Sequence, residues 1–261
     1  MSPMKQCVPE WCFFRQDMDP HAAFARLKSM GYAGLEMIDP ARWGAAASAG
    51  LPLVTMAASG MQDGLNKPVN REKLSASIRE NIAQAKSAGI PIVIVFSGNR
   101  QGQPDAEGMT SCVRAFKDLA RSAESAGVTL AFEMLNSIDH ADYMADSSAF
   151  GFQLARAVGS PRFRVLYDIY HMRRMGENTL RDILDNLDLI CHLHVAGSPR
   201  RDFPGLRQEI DYATIVREVT AAGYTGFWGH EFLAEHADPF PDLEAAAMLF
   251  NRYGTQGKPA V

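Results

Sequence analysis

Residues 91–133 read PIVIVFSGNRQGQPDAEGMTSCVRAFKDLARSAESAGVTLAFE. The first six, PIVIVF, are apolar and largely β-branched, the pattern of a strand covered on both faces. Glu107 to Ala126 reads as a helix, stopped by Gly127. VTLAFE (128–133) reads as a second strand, ending in Glu133. A strand, a helix and another strand in succession imply two parallel strands joined by a right-handed crossover.

The same unit repeats outward in both directions. Upstream, QCVP (6–9), GLEMI (34–38) and PLVTM (52–56) read as strands. Helices follow them over Pro20–Met30, over a short stretch after GLEMI, and over Arg71–Ala88. Downstream, FRVLYD (163–168), LICHLHV (189–195) and GFWGHE (226–231) read as strands. Helices are predicted over Ser147–Val158, Leu180–Leu187, Tyr212–Ala222 and Asp242–Tyr253. Eight strand–helix units of about 30 residues each fill a chain of 261 residues, the size of a (β/α)8 barrel. The reading is therefore α/β, a single TIM barrel over 1–261, with the ordered barrel over about 5–253 and a tail over 254–261. A doubly wound open sheet would call for a Gly-rich phosphate turn after an early strand, and no G-x-G-x-x-G or Walker sequence is present.

Composition narrows the partners. The formal net charge of −4 and the scattered basic residues argue against nucleic acid, which usually needs a basic face. The densest basic groups are the pairs Arg173-Arg174 and Arg200-Arg201, which suit a small anionic or polyhydroxy ligand. No apolar run approaches a membrane span, and the opening MSPMKQCVPEWCFF has no secretory pattern. The four cysteines show no disulfide-like or zinc-like spacing, as expected for reduced thiols in the cytoplasm. A homo-oligomer stays open.

Barrel enzymes place their chemistry at the C-terminal ends of the strands. Four late strands end in polar groups: Glu133, Asp168, His194 and Glu231. Any one of these carboxylates could be a helix cap or the first solvated residue of a loop. Together, at equivalent ends of strands in a closed barrel, they would converge. Carboxylates plus one imidazole suit one divalent ion such as Mn²⁺, Mg²⁺ or Co²⁺, and a set without cysteine argues against structural zinc. His192 shares the face of His194 but lies one pleat deeper, a supporting position rather than a ligand. His171, in the loop after Asp168, could reach a substrate oxygen. His140, in the loop after Glu133, could cover the site. Trp11, after the first strand, could wall a pocket or simply pack. His21 reads as surface, and His230 should point away from the mouth.

At these residues the chain resembles the hydroxypyruvate isomerase-like branch of the xylose isomerase-type barrels. The resembling stretches are GLEMIDP, GLNKP, FSGNR, FEMLNS, DHADYMAD, VLYDIYHM, HLHVAGSPRRD, QEIDY and GFWGHEF, in family order over most of the chain. The resemblance implies metal ligation by Glu133, Asp168, His194 and Glu231, and substrate binding by His171 and Arg201, to which the positions of Trp11 and His140 add two candidate substrate neighbours. It implies proton transfer through an enediolate, with Glu133 and Glu231 as the catalytic pair and hydroxypyruvate converted to tartronate semialdehyde. Two departures matter. The turn after the seventh strand usually reads P-G-R-H in the family, whereas Arg200 and Asp202 flank Arg201 here. The hydroxypyruvate isomerases proper often carry glutamine where His194 stands, whereas the epimerases carry histidine. A ketose 3-epimerase is thus the alternative, followed by an inosose-type dehydratase and an abasic-site endonuclease.

Overall fold

Eight buried apolar runs, each too short to fold alone, close on one another. The computed structural model describes residues 4–255. In chain order the elements are β1 (Gln6–Pro9), α1 (Glu10–Phe13), α2 (Pro20–Ser29), β2 (Gly34–Glu36), α3 (Trp43–Ser48) and β3 (Leu53–Ala57). They continue as α4 (Arg71–Ala88), β4 (Ile92–Val95), α5 (Asp105–Ala126), β5 (Thr129–Glu133), α6 (Ser148–Val158) and β6 (Phe163–Asp168). The last are α7 (Ile169–Arg174), α8 (Thr179–Asp185), β7 (Ile190–Val195), α9 (Tyr212–Ala221), β8 (Trp228–His230) and α10 (Phe240–Thr255). The strands pair in sequence order and β1 pairs with β8, giving a closed, all-parallel barrel. This is the predicted (β/α)8 architecture.

The helices start and stop for local reasons. Asp19 and Ser147 accept hydrogen bonds from the backbone N–H groups of His21 and Phe150 and so cap α2 and α6. Gly127 ends α5 with φ 74°, a left-handed conformation that leaves it free of the strain a side chain would add. The apolar faces of α4, α5 and α6 pack on β4 to β6, where Phe116, Phe132 and Phe163 form one aromatic group.

Several boundaries differ from the sequence reading, three of them near the site or the chain end. β2 stops at Glu36, two residues before the end of GLEMI, because Met37 turns to φ 50° and leaves the strand path. The segment between β6 and β7 holds two short helices, not one, since the Asp168 side chain caps α7 directly at the strand end. In the predicted tail, Gly254 and Thr255 belong to α10, and 256–261 lie outside the described residues. Among the described residues no helix is long and apolar enough to cross a membrane.

Register sets the site. Asp168 pairs with His194, His194 with Gly229, and Gly229 with Cys7, so these four occupy one level of the barrel. Side chains alternate along β7, so His192 and His194 both turn inward while Leu193 packs outward.

Candidate active site and metal centre

Glu133, Asp168, His194 and Glu231 each offer one ligand atom, and these atoms all lie within 4.8 Å of one another. All four side chains are buried. The convergence expected from four strand ends is therefore a geometric fact. Each residue arrives by backbone position: Glu133 and Asp168 are the last residues of β5 and β6, and His194 is the penultimate residue of β7. Glu231 follows β8, and its N–H still bonds to the carbonyl of Val195.

Three buried carboxylates in so small a space repel one another and lose hydration, a costly arrangement without a cation. Burial pushes the Glu133 carboxyl up to about 7. Burial also raises Asp168, to about 6, against the opposing pull of the Arg201 guanidinium. Burial alone would raise Glu231 as well, but His194 and Arg201 hold it well below the usual carboxylate range. Burial would lower His194, yet the carboxylates of Glu231 and Glu36 hold it well above its ordinary value. Two polar atoms aimed into the cluster, Asp168 Oδ2 and His194 Nδ1, make no hydrogen bond. Unpartnered buried polar atoms of this kind are what a cation would satisfy, displacing the Nδ1 proton as it binds. Three carboxylate oxygens and one imidazole nitrogen match the donor preferences of Mn²⁺, Mg²⁺ or Co²⁺, so the residues present fit a divalent ion.

His171, expected in a loop, instead lies in α7 and is fully buried. Its backbone N–H donates to Asp168 Oδ1 at 3.1 Å. Its Nδ1 accepts from the backbone N–H of Asn136 at 3.2 Å, which assigns the proton to Nε2. That Nε2 faces Asp168 Oδ2 at 3.6 Å. Burial, reinforced by Arg201, keeps the ring neutral by lowering its pKa well below the ordinary value. The His140 ring, from the loop after Glu133, stands edge-on to the His171 ring with centroids 5.3 Å apart.

Arg201 sits in the turn after β7, in the left-handed region at φ 56°. Its Nη2 donates to Glu231 Oε2 at 2.6 Å and lies 3.8 Å from Asp168 Oδ2. The guanidinium is flanked by the rings of Trp11 at 5.0 Å and Tyr170 at 5.4 Å. Trp11, 52% exposed, also donates from Nε1 to Glu231 Oε1 at 3.0 Å, so it stands at the surface beside Glu231 rather than filling the core. The two unusual neighbours of Arg201 bond to each other: Arg200 Nη2 lies 2.6 Å from Asp202 Oδ2, with the Arg200 side chain 74% exposed. The backbone of the same turn is closed by the Gly197 N–H, which donates to the Asp202 carbonyl at 2.7 Å.

His192 is buried one pleat below His194, as expected, with its Nε2 2.8 Å from Glu36 Oε2. His230 points to the outside of the barrel, against Phe250 and Gln6. Sequence reasoning missed Glu36, Asn136 and Tyr170. Glu36 carried a usable signal, a lone charge inside the apolar run GLEMI.

Residues 24–252 match the family model described as Xylose isomerase-like TIM barrel. The chain belongs to this family. Among its relatives, hydroxypyruvate isomerase of Escherichia coli (strain K12) is 30% identical over 105 residues, 40% of each chain. The 2-oxo-tetronate isomerase of Cupriavidus necator is 26% identical over 113 residues, 43% of each chain. The chain thus spans less than half the length of either of these curated relatives. The solved structure of AP endonuclease, family 2 from Brucella melitensis superposes with a TM-score of 0.83 at 18% identity, covering 96% of this chain and 99% of that one. At that identity the likeness to the Brucella barrel is one of fold.

Proposed function

We propose that this xylose isomerase-like barrel is a metal-dependent isomerase of a small hydroxy-carbonyl acid, with hydroxypyruvate and tartronate semialdehyde as the interconverted pair. The observation that carries the reading is the pair of buried glutamates, Glu133 and Glu231, converging on one four-ligand cluster beneath Arg201. A divalent ion held by Glu133, Asp168, His194 and Glu231 would supply Lewis acidity toward the substrate carbonyl.

This chain's residues do the rest. Glu133, with a carboxyl near neutral pH, is suited to take a proton from the substrate carbon and to return it to the neighbouring one. Glu231, held ionised by Arg201 and His194, supplies fixed negative charge on the opposite wall and is the second candidate for proton return. The Nε2–H of neutral His171 donates to the substrate oxygen that gains charge. Arg201 has donors to spare beyond Glu231 and pairs with a carboxylate. Its choice of partner agrees with the relatives, whose names both denote 2-oxo acids. Trp11 and His140 narrow the mouth and limit water.

A 3-epimerase acting on a ketose is the second reading, favoured by His194 among the ligands and by glutamates on both sides of the cluster. The two are separated by incubation in D₂O with hydroxypyruvate, tartronate semialdehyde, fructose, tagatose and ribulose, with added Mn²⁺ or Mg²⁺. Interconversion of the two three-carbon acids supports the isomerase. Deuterium at C3 of a ketose, with those acids untouched, replaces it by the epimerase. Full turnover after chelation of the metal overturns the cofactor assignment.

A further inference from the structure

Beneath the four-ligand cluster lies a second set of polar side chains that the proton chemistry does not use. Glu36, at the end of β2, is completely buried inside the barrel. Its Oε2 lies 2.8 Å from His192 Nε2 and 3.1 Å from His194 Nε2, and it accepts from Thr55 Oγ1 at 3.1 Å. Its Oε1 accepts from the Cys7 thiol at 3.0 Å. Cys7, Glu36 and His192 could by themselves be taken for a metal triad. Both carboxylate oxygens, however, already face protein donors.

The imidazole of His194 joins the two layers. Its Nε2 faces Glu36, and its Nδ1 lies 3.0 Å from Glu231 Oε2 and 3.6 Å from Glu133 Oε1. A carboxylate only accepts, so the nitrogen facing Glu36 must carry a proton, and so must Nδ1 while only the carboxylates of Glu231 and Glu133 face it. A cation held by the cluster would displace the Nδ1 proton, while Glu36 keeps the Nε2 proton in place, and the lone pair so exposed has no other hydrogen-bond partner. The barrel is shaped around this contact. A Cβ at Gly229 would stand 2.3 Å from Glu36 Oε1 and 2.6 Å from His194 Cδ2, so only glycine leaves room for the pair.

We propose that Glu36 is a positioning residue for the metal centre: it fixes His194 as the Nε2–H tautomer and aims the Nδ1 lone pair at the space enclosed by Glu133, Asp168 and Glu231. The inference rests on the metal reading above. Carboxylates behind histidine ligands set the ring's tautomer and orientation, and their loss costs about 10–100-fold in metal affinity.

The test is Mn²⁺ binding to chelator-stripped protein, followed by the EPR signal of the free ion. Glu36→Leu, which removes both acceptors, weakens binding by about 10–100-fold. Glu36→Gln, which keeps one acceptor oxygen, falls between Glu36→Leu and the parent protein. Cys7→Ala removes a Glu36 partner that does not touch His194, and it leaves the affinity unchanged. If Glu36→Leu, with a normal melting curve, binds Mn²⁺ as the parent does, Glu36 has no positioning role while the metal centre stands. If the parent binds no Mn²⁺, the metal reading and this inference fall together. Should Glu36→Leu not fold, long-range proton–nitrogen NMR of the labelled parent with Mg²⁺ decides. Protonated Nε2 and bare Nδ1 on His194 support the proposal, and protonated Nδ1 overturns it.

Discussion

Glu133 and Glu231 converge on the same cluster, but the walls behind them differ. On the β5 side, Glu133 has, among the described residues, no ion-pair contact but His194 Nδ1 at 3.6 Å, and burial pushes its carboxyl up to about 7. On the β8 side, Glu231 accepts from Arg201 at 2.6 Å and from Trp11 at 3.0 Å, and lies 3.0 Å from His194. Two residues of one type, both buried at the cluster, are thereby given different acid strength. Burial alone raises a carboxyl, and burial with two cationic partners does the reverse. The β5 wall leaves a proton exchangeable, and the β8 wall locks a charge in place.

Replacing each glutamate by glutamine is the strongest way to break this contrast. Glu133→Gln should lower the isomerisation rate by about 10²–10⁴-fold, the usual worth of a positioned acid–base group. Its thermal midpoint should stay level or rise, since a poorly compensated buried charge is removed. Glu231→Gln should lose comparable activity and also about 1–3 kcal/mol of stability, because Arg201 loses its charged acceptor. Steady-state assays beside urea unfolding read both quantities. Equal stability for the two variants would mean that the walls are equivalent after all.

Gly229 probes the crowded wall behind His194 without replacing a ligand. Its absent side chain makes room for Glu36 and His194. Gly229→Ala should destabilise the barrel by about 1–3 kcal/mol in urea unfolding, the cost of overpacking a dense interior. The β5 wall already carries Ala131, buried, in its strand, so it tolerates a methyl group where the β8 wall does not. An unchanged unfolding midpoint would show that the β8 wall yields easily.

Much of this asymmetry is hidden from the sequence, although the fold is not. Parallel strands buried on both faces read as apolar runs, so PIVIVF and FRVLYD stood out. Residues at strand ends must converge once the barrel closes, which made Glu133, Asp168, His194 and Glu231 legible as a group. Contacts across the barrel are another matter. Glu36 meets His194 from 158 residues away, and nothing in GLEMI names that partner. The state of His171 depends on the backbone N–H of Asn136, on another strand's loop, so a residue expected in an open loop is a buried, neutral donor. Arg200 and Asp202 looked like changes beside a substrate arginine, and their mutual ion pair is visible only once the turn is folded.

The contrast is sharpened further by the residues that grip Glu231 from the mouth. Arg201→Lys keeps the charge but gives up the planar fork, so it should raise the KM for a carboxylate substrate by about tenfold, close to the value of one charge-assisted hydrogen bond. Trp11→Phe is the finest probe. Phenylalanine keeps an aromatic face for the Arg201 guanidinium, 5.0 Å from the present ring, and removes only the Nε1–H bond to Glu231 Oε1. With Trp11 half exposed, water can replace that donor. The expected change in kcat/KM is therefore no more than about tenfold, within the net worth of one hydrogen bond of about 0.5–1.5 kcal/mol. A loss as large as that of Glu133→Gln would instead place the indole in direct contact with the substrate. In that case the β8 wall would hold reactant as well as charge.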